Sequence, residues 1–313
     1  MKRTRICTKA KFSLALVLAV TLSACGGGNE SFSPTPLPSR SPETALPSPV
    51  PSSHVVLVVE ENHRYHEVYP HGMPWLVAMG NGYGFASNYH ANVAGSALNY
   101  FWLSSGSSEK EFGCHGWGCE KPITSNNIFR ILNQAARSWK IYAESLPSVG
   151  WINGDSGAYV KRHNPAVWYA DIINNPSEQQ KVVPFTEFSI DLAQDQLPNY
   201  SIVIPDINHD AHDGTLLEAD NWLQVNIGPL LDHPDFKVGG NGLLIVTFDE
   251  CDAAVGACPQ EVYTAVIGPN VKRGTQSHTL YRHENTLRTI LHQLNISVYP
   301  GAAEYATVMS DFF

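Results

Sequence analysis

The segment His54-Val55-Val56-Leu57-Val58-Val59-Glu60 constrains this chain more than any other. An unbroken, largely β-branched run has no polar face to turn to water, so it reads as a strand buried on both sides. Residues 201–205, 243–248 and 263–267 have the same character. Between these runs, apolar residues recur at helical spacing: Ile128, Ile131, Leu132 and Ala135, then Leu287, Ile290, Leu291 and Leu294. Strands alternating with helices predict an α/β fold, a three-layer α/β/α sandwich with a mainly parallel central sheet. Sites in such folds gather beyond the carboxyl ends of the strands.

Residues 54–313 carry this pattern without a second linker or an internal repeat, and they are read as one domain. Apolar residues make up 43% of the chain and charged residues 16%, which excludes wholesale disorder. The formal charge is −9, from 29 acidic and 20 basic groups. That balance argues against nucleic acid as a partner, since phosphate backbones demand clustered Lys and Arg.

The N-terminus reads as an export signal. Lys2, Arg3, Arg5, Lys9 and Lys11 precede a short apolar stretch, residues 12–22, and residues 1–24 contain no acid. The stretch is too short for a membrane span, which needs about 20 apolar residues. It ends in Leu22-Ser23-Ala24-Cys25, which looks like a bacterial lipobox with Cys25 as the acylated residue. Residues 25–53 hold seven of the 21 prolines among Ser and Thr, so they form an extended tether and no core. The expectation is an exported protein anchored by lipid to the cell envelope, the outer membrane being the expected address. Sequence sets neither the membrane face nor the oligomeric state.

Export places the cysteines in an oxidising compartment. Cys114/Cys119 and Cys251/Cys258 form two close pairs, read as local disulfides. Zinc, with His115 beside Cys114, is the alternative, but neither pair has CxxC spacing.

Two acidic pairs stand where strands end: Glu60-Glu61, followed by Asn62-His63, and Asp249-Glu250. Neighbouring carboxylates repel, and a divalent cation between them removes the penalty. Solvated loop acids are the competing reading. A third cluster, Asp206, His209, Asp210, His212 and Asp213, follows another strand and suits metal, phosphate or proton transfer. Asp213 is also placed to cap a helix starting at Thr215. Ser96, after Gly95 and before Ala97-Leu98, stands at a turn into a helix, where the positive helix end suits attack on an anion. GxSxG, Walker, HExxH and dinucleotide GxGxxG patterns are absent.

In order, the chain presents Glu61-Asn62, Ala86-Ser87-Asn88-Tyr89 leading to Ser96 and Asn99-Tyr100, and Ser138-Trp139-Lys140-Ile141-Tyr142-Ala143-Glu144. Arg162-His163-Asn164-Pro165, Leu197-Pro198-Asn199-Tyr200 and His209 to Gly214 follow. Thr247-Phe248-Asp249-Glu250 and Tyr281-Arg282-His283 close the series. This series resembles the bacterial and fungal phosphoesterase family of acid phosphatases and phospholipases C, with an alkaline-phosphatase-like fold. The resemblance implies Ser96 as nucleophile and Glu61, Asp249 and Glu250 as ligands of a divalent metal. It implies His163 and His212 as proton-moving groups and Asn62, Asp210 and His283 as groups around the phosphoryl oxygens. The family's His-Pro before the nucleophile is Ala94-Gly95 here, its following Pro is Leu98, and a late Glu is Leu291. The implied activity is hydrolysis of phosphate monoesters, small molecules or lipid head groups. A phospholipase C-type diesterase is the alternative, and a non-catalytic surface lipoprotein is the reading from another class.

Overall fold

The 54–60 run supplies the middle of the sheet. In the computed structural model, which describes residues 52–251 and 261–313, β1 (Val55–Glu60) is buried throughout, no residue exceeding 1% exposure. Alternate side chains of a strand face opposite sides, so both faces of β1 are covered. β5 (Tyr200–Ile204) and β6 (Leu243–Phe248) flank it, both parallel. The others are β2 (Gly84–His90), β3 (Trp139–Ala143), β4 (Val182–Pro184), β7 (Glu261–Ile267) and β8 (Thr275–Ser277). The eight-stranded order is β4-β3-β5-β1-β6-β7-β2-β8. Among the described strands β7 alone runs against its neighbours. The fold is thus the expected α/β sandwich with a mainly parallel sheet.

The helices Ile128–Gln134 and His283–Gln293 form where helical spacing places them. The latter packs on the helix Ser96–Ser105. Asp213 does not cap the helix Leu216–Asn226. Thr215 does, accepting from Glu218 N–H while the Glu218 carboxylate returns to Thr215 N–H, a capping box. Among the described residues no helix is long and apolar enough to cross a membrane. The signal, Cys25, most of the 25–53 tether and Cys258, hence the Cys251–Cys258 pairing, lie outside the described residues. Ser52 and Ser53, assigned by sequence to the tether, are already tied to the domain. Ser52 N–H donates to Gln293 O at 2.7 Å and Ser53 Oγ to Asn241 Oδ1 at 2.6 Å.

Candidate active site

Register at the sheet centre brings three loops together. Glu60 and Phe248 are paired at the ends of β1 and β6, so Glu61 and Asp249 leave the sheet side by side. Asp249 N–H donates to Glu60 O at 2.9 Å, and Glu61 N–H donates to Asp210 O, in the loop after β5, at 2.7 Å. Asn62 then turns with φ 60°, a left-handed conformation that Asn tolerates better than most residues. Its N–H donates to Asp249 Oδ1 at 3.3 Å, and Glu250 N–H donates to the same oxygen at 2.5 Å.

Ser96 begins the ten-residue helix Ser96–Ser105, on which Gly95 is the N-cap. Gly95 has φ 112°, and a Cβ there would lie 2.7 Å from Gly116 Cα, so this turn demands glycine. Gly95 N–H donates to Glu250 Oε2 at 2.5 Å, and Leu98 N–H donates to Gly95 O at 3.1 Å, a bond that the family's Pro at this place would lack. Ser96 Oγ, in a residue 6% exposed, donates to Glu61 Oε2 at 2.9 Å. The nucleophile expected from sequence and a carboxylate expected at the metal are thus hydrogen-bonded partners.

Behind Glu61 lies His163, fully buried and stacked on the Tyr100 ring at 5.5 Å and 8°. His163 Nε2 is 3.1 Å from Glu61 Oε1 and Nδ1 is 2.9 Å from Asp210 Oδ2. Neither contact has hydrogen-bond alignment, and these four atoms are buried without a donor–acceptor partner. Burial, reinforced by the Arg162 charge, holds the His163 imidazole well below its ordinary range, so it is neutral. Burial pushes Glu61 well up, the charges of Asp249, Asp210 and Glu250 adding to the effect while the Ser96 bond opposes it. Burial and Glu250 raise Asp249 likewise, and burial lifts Asp210 to about 8 despite the His212 N–H that it accepts.

In front of Ser96 opens a cleft of about 200 Å³. It is lined by Asn62, Gly95, Ser96 and Glu250, and by Gly116, Trp117, Arg162 and His212. Arg162, only 8% exposed, donates from Nη2 to His212 Nε2 at 3.2 Å. An arginine cannot accept, so Nε2 carries the lone pair and Nδ1–H donates to Asp213 Oδ1 at 2.8 Å. A guanidinium held beside a serine at a helix N-terminus makes a receptor for an oxyanion.

Not every expected site residue faces this cleft. Asn62, Ser96, His212 and Glu250 line it, while Glu61, His163, Asp210 and Asp249 sit behind it, fully buried. Asp210 is therefore a support for His163 and the His212 backbone, not a group on the cleft surface. His283 is also enclosed, with Nε2 at 2.7 Å from Asp249 O and Nδ1 at 3.0 Å from Tyr89 OH. It positions the Asp249 loop, and burial pulls it down to about 4. Glu60 is fully buried with both carboxylate oxygens unpartnered, and burial keeps it protonated far above the usual range.

Arg162 and Trp117 are the site residues that sequence reading missed. Arg162 stood inside the quoted Arg162-His163-Asn164-Pro165 motif, beside a histidine singled out for chemistry. Trp117 gave no signal beyond its place between Cys114 and Cys119, which are disulfide-bonded and so unavailable to zinc.

The donor set fits a divalent cation. Glu61 Oε1 and Asp249 Oδ2 are buried, anionic when deprotonated and without donors, and hard oxygen ligands suit such an ion. Among the described residues, two tight metal-capable groups, Glu144/Asp206/His209 and Asp195/His233/Asp235, lie elsewhere and do not line the cleft. In the first, Glu144 Oε2 already accepts from Asp206 N–H at 3.0 Å and lies 2.9 Å from His209 Nδ1.

Fold and cleft together define an α/β protein whose candidate site lies beyond the carboxyl ends of the central strands. Among solved structures, the chain is similar to an alkaline phosphatase superfamily protein from Vibrio parahaemolyticus, with TM-score 0.57 and 10% identity over 79% of this chain and 67% of that one. It is also similar to the phosphonate monoester hydrolase of Agrobacterium radiobacter, with TM-score 0.53 and 11% identity over 83% and 77%. Residues 69–297 match the Phosphoesterase family, and the chain belongs to it. A phosphatidylinositol-3-phosphatase from Mycobacterium tuberculosis is 29% identical over 79% of this chain and 77% of its own length. A probable acid phosphatase from Kluyveromyces lactis is 28% identical over 54% of this chain and 42% of its own. An acid phosphatase from Aspergillus fumigatus is 27% identical over 70% and 49%. The chain therefore spans about half the length of these acid phosphatases.

Proposed function

We propose that this protein hydrolyses phosphate monoesters, with Ser96 as the nucleophile. The observation that carries the reading is the Ser96 Oγ hydrogen bond to buried Glu61 at the head of a helix, facing a cleft that holds Arg162. Family membership and the names of the relatives, acid phosphatases and a phosphatidylinositol-3-phosphatase, support it.

Phosphoryl transfer asks for positioning and for neutralisation of the equatorial oxygens more than for covalent chemistry by the protein. Arg162 and the Asn62 amide would hold non-bridging oxygens. The Ser96 Oγ–P bond forms as the P–O bond to the leaving group breaks, and the hydroxyl proton passes to Glu61 Oε2. When Arg162 turns to the phosphoryl group, His212 Nε2 is released and takes up a solvent proton, which it then donates to the departing oxygen, with Asp213 steadying its Nδ1–H. Water then cleaves the phosphoserine, giving inorganic phosphate and returning the proton to Oγ. Glu61, Asp249 and Glu250 would hold a divalent cation, which when bound offsets their repulsion and the charge of the phosphoryl oxygens.

The direct test is hydrolysis of p-nitrophenyl phosphate against its bis-ester, with and without chelator. The reading expects monoester turnover that chelation stops. Turnover of the bis-ester alone would favour the diesterase, and no turnover of any ester would favour the non-catalytic lipoprotein. The lipobox-like segment supports an exported, lipid-anchored protein. Incorporation of labelled palmitate, lost in Cys25→Ala, is the measurement for that part.

A further inference from the structure

Trp117 is the largest side chain on the cleft and one of the most exposed apolar ones, 72% open to solvent. Nothing in phosphoryl chemistry requires it. The loop that carries it is nevertheless fixed from several sides. Cys114 and Cys119 are bridged. Inside the bridge, His115 and Gly118 exchange backbone bonds at 2.8 and 3.0 Å. Gly118 has φ 135°, and a Cβ there would meet Trp168 Cη2 at 2.1 Å, so the turn is pressed against that ring. At the other end, Ala97 N–H, next to the nucleophile, donates to Gly116 O at 3.2 Å. The indole covers the Arg162 guanidinium at 4.9 Å and leaves the rest of its surface facing outward.

From this geometry we propose that Trp117 is a specificity-determining residue, a platform for phosphomonoesters whose leaving group is a flat ring. The inference rests on the phosphomonoesterase reading of the same cleft. Trp117, Arg162 and His212 line the same cleft and the guanidinium sits against the indole, so a phosphoryl group held at Arg162 has its ester substituent within reach of both His212 and the indole. An indole offers a flat apolar face to a stacked ring, and a loop already fixed spends little conformational entropy on binding. Small alkyl phosphates reach Arg162 and Ser96 without touching this platform.

The test compares p-nitrophenyl phosphate with glycerol 3-phosphate in wild type, Trp117→Ala and Trp117→Phe, with inorganic phosphate as a competitive inhibitor. The expected result is a KM for the aryl ester raised about tenfold in Trp117→Ala, consistent with loss of one stacking contact. The glycerol 3-phosphate KM and the phosphate inhibition constant should stay within twofold of wild type, and Trp117→Phe should restore most of the aryl preference. Equal weakening of both esters and of phosphate would mean that Trp117 serves only to cover Arg162, which overturns the proposal. Unchanged kinetics on both esters would overturn it equally. An inactive wild type would instead refute the phosphomonoesterase reading, and the two failures are distinguished on that point.

Discussion

Ser96 Oγ donates to Glu61 Oε2 at 2.9 Å, and the other oxygen of the same carboxylate lies 3.1 Å from His163 Nε2. One buried carboxylate therefore bonds the nucleophile through one oxygen and lies against the imidazole through the other, and the imidazole lies in turn against Asp210. The chain of four side chains spans loops after β1 and β5, the segment holding His163 and the head of a helix. It exists because β1 and β5 are adjacent and parallel.

Replacing Ser96 with Ala should lower kcat by at least a thousandfold, with folding cost of no more than about 1 kcal/mol for the lost hydrogen bond. Activity and thermal melting measured on the same sample decide it. More than a tenth of wild-type rate would remove Ser96 from the reaction.

Arg162 donates to His212 and stands where the phosphoryl oxygens would sit. Arg162→Gln should raise KM for any monoester, and the inhibition constant of inorganic phosphate, by more than tenfold, as expected for loss of a charge-assisted bond. Equal affinity for phosphate in the variant and the wild type would contradict the oxyanion role.

Asp249→Asn should damage catalysis far more than stability. Removing one of the mutually repelling carboxylates relieves the fold, while it weakens the hold on a divalent cation. Activity and bound metal should fall together across a divalent-cation series, and the variant in chelator should melt no lower than wild type in chelator. A chelated wild type, free of metal and working at full rate, would refute the metal assignment.

The buried acids also set a pH dependence of stability. Asp210 keeps its proton in the fold up to about pH 8, whereas its ordinary value is 3.8. Between these values the folded chain binds more protons than the unfolded one, so stability falls as pH rises through the window. Glu61 and Asp249, raised in the same direction, add to the slope. Below about pH 6.5 the buried neutral His163 and His283 oppose this slope, because their unfolded imidazoles take up protons there. Chelated protein should therefore melt progressively lower from about pH 6.5 to about pH 8. A melting temperature that rises across this window would mean that the acids are ionised and paired.

Much of this was legible in the chain. The run from Val55 to Val59 announced a doubly covered strand because no residue in it tolerates water, and β6 was bounded to the residue for the same reason. β2, β3, β4 and β8 were not visible. Gly84-Phe85-Ala86-Ser87-Asn88-Tyr89-His90 mixes small and polar groups, and three-residue strands such as β4 have no period to detect. At the site, Glu61, Asn62, Asp249 and Glu250 followed from where strands end, because register alone places them together. Arg162 and Trp117 escaped, since their roles come from a tertiary contact across the cleft and from a disulfide loop that carries no periodic signal. His283 was expected around the phosphoryl oxygens from the resemblance alone, whereas its buried ring contacts Asp249 O and Tyr89 OH within the core.

The central claim is that Ser96 Oγ takes the phosphoryl group. The most direct measurement is acid quenching during turnover of a phosphate monoester, followed by peptide mass analysis. The account predicts phosphoserine on the peptide bearing Ser96 and none in Ser96→Ala. Phosphoryl transfer to a different side chain, with Ser96→Ala still turning over, would contradict it.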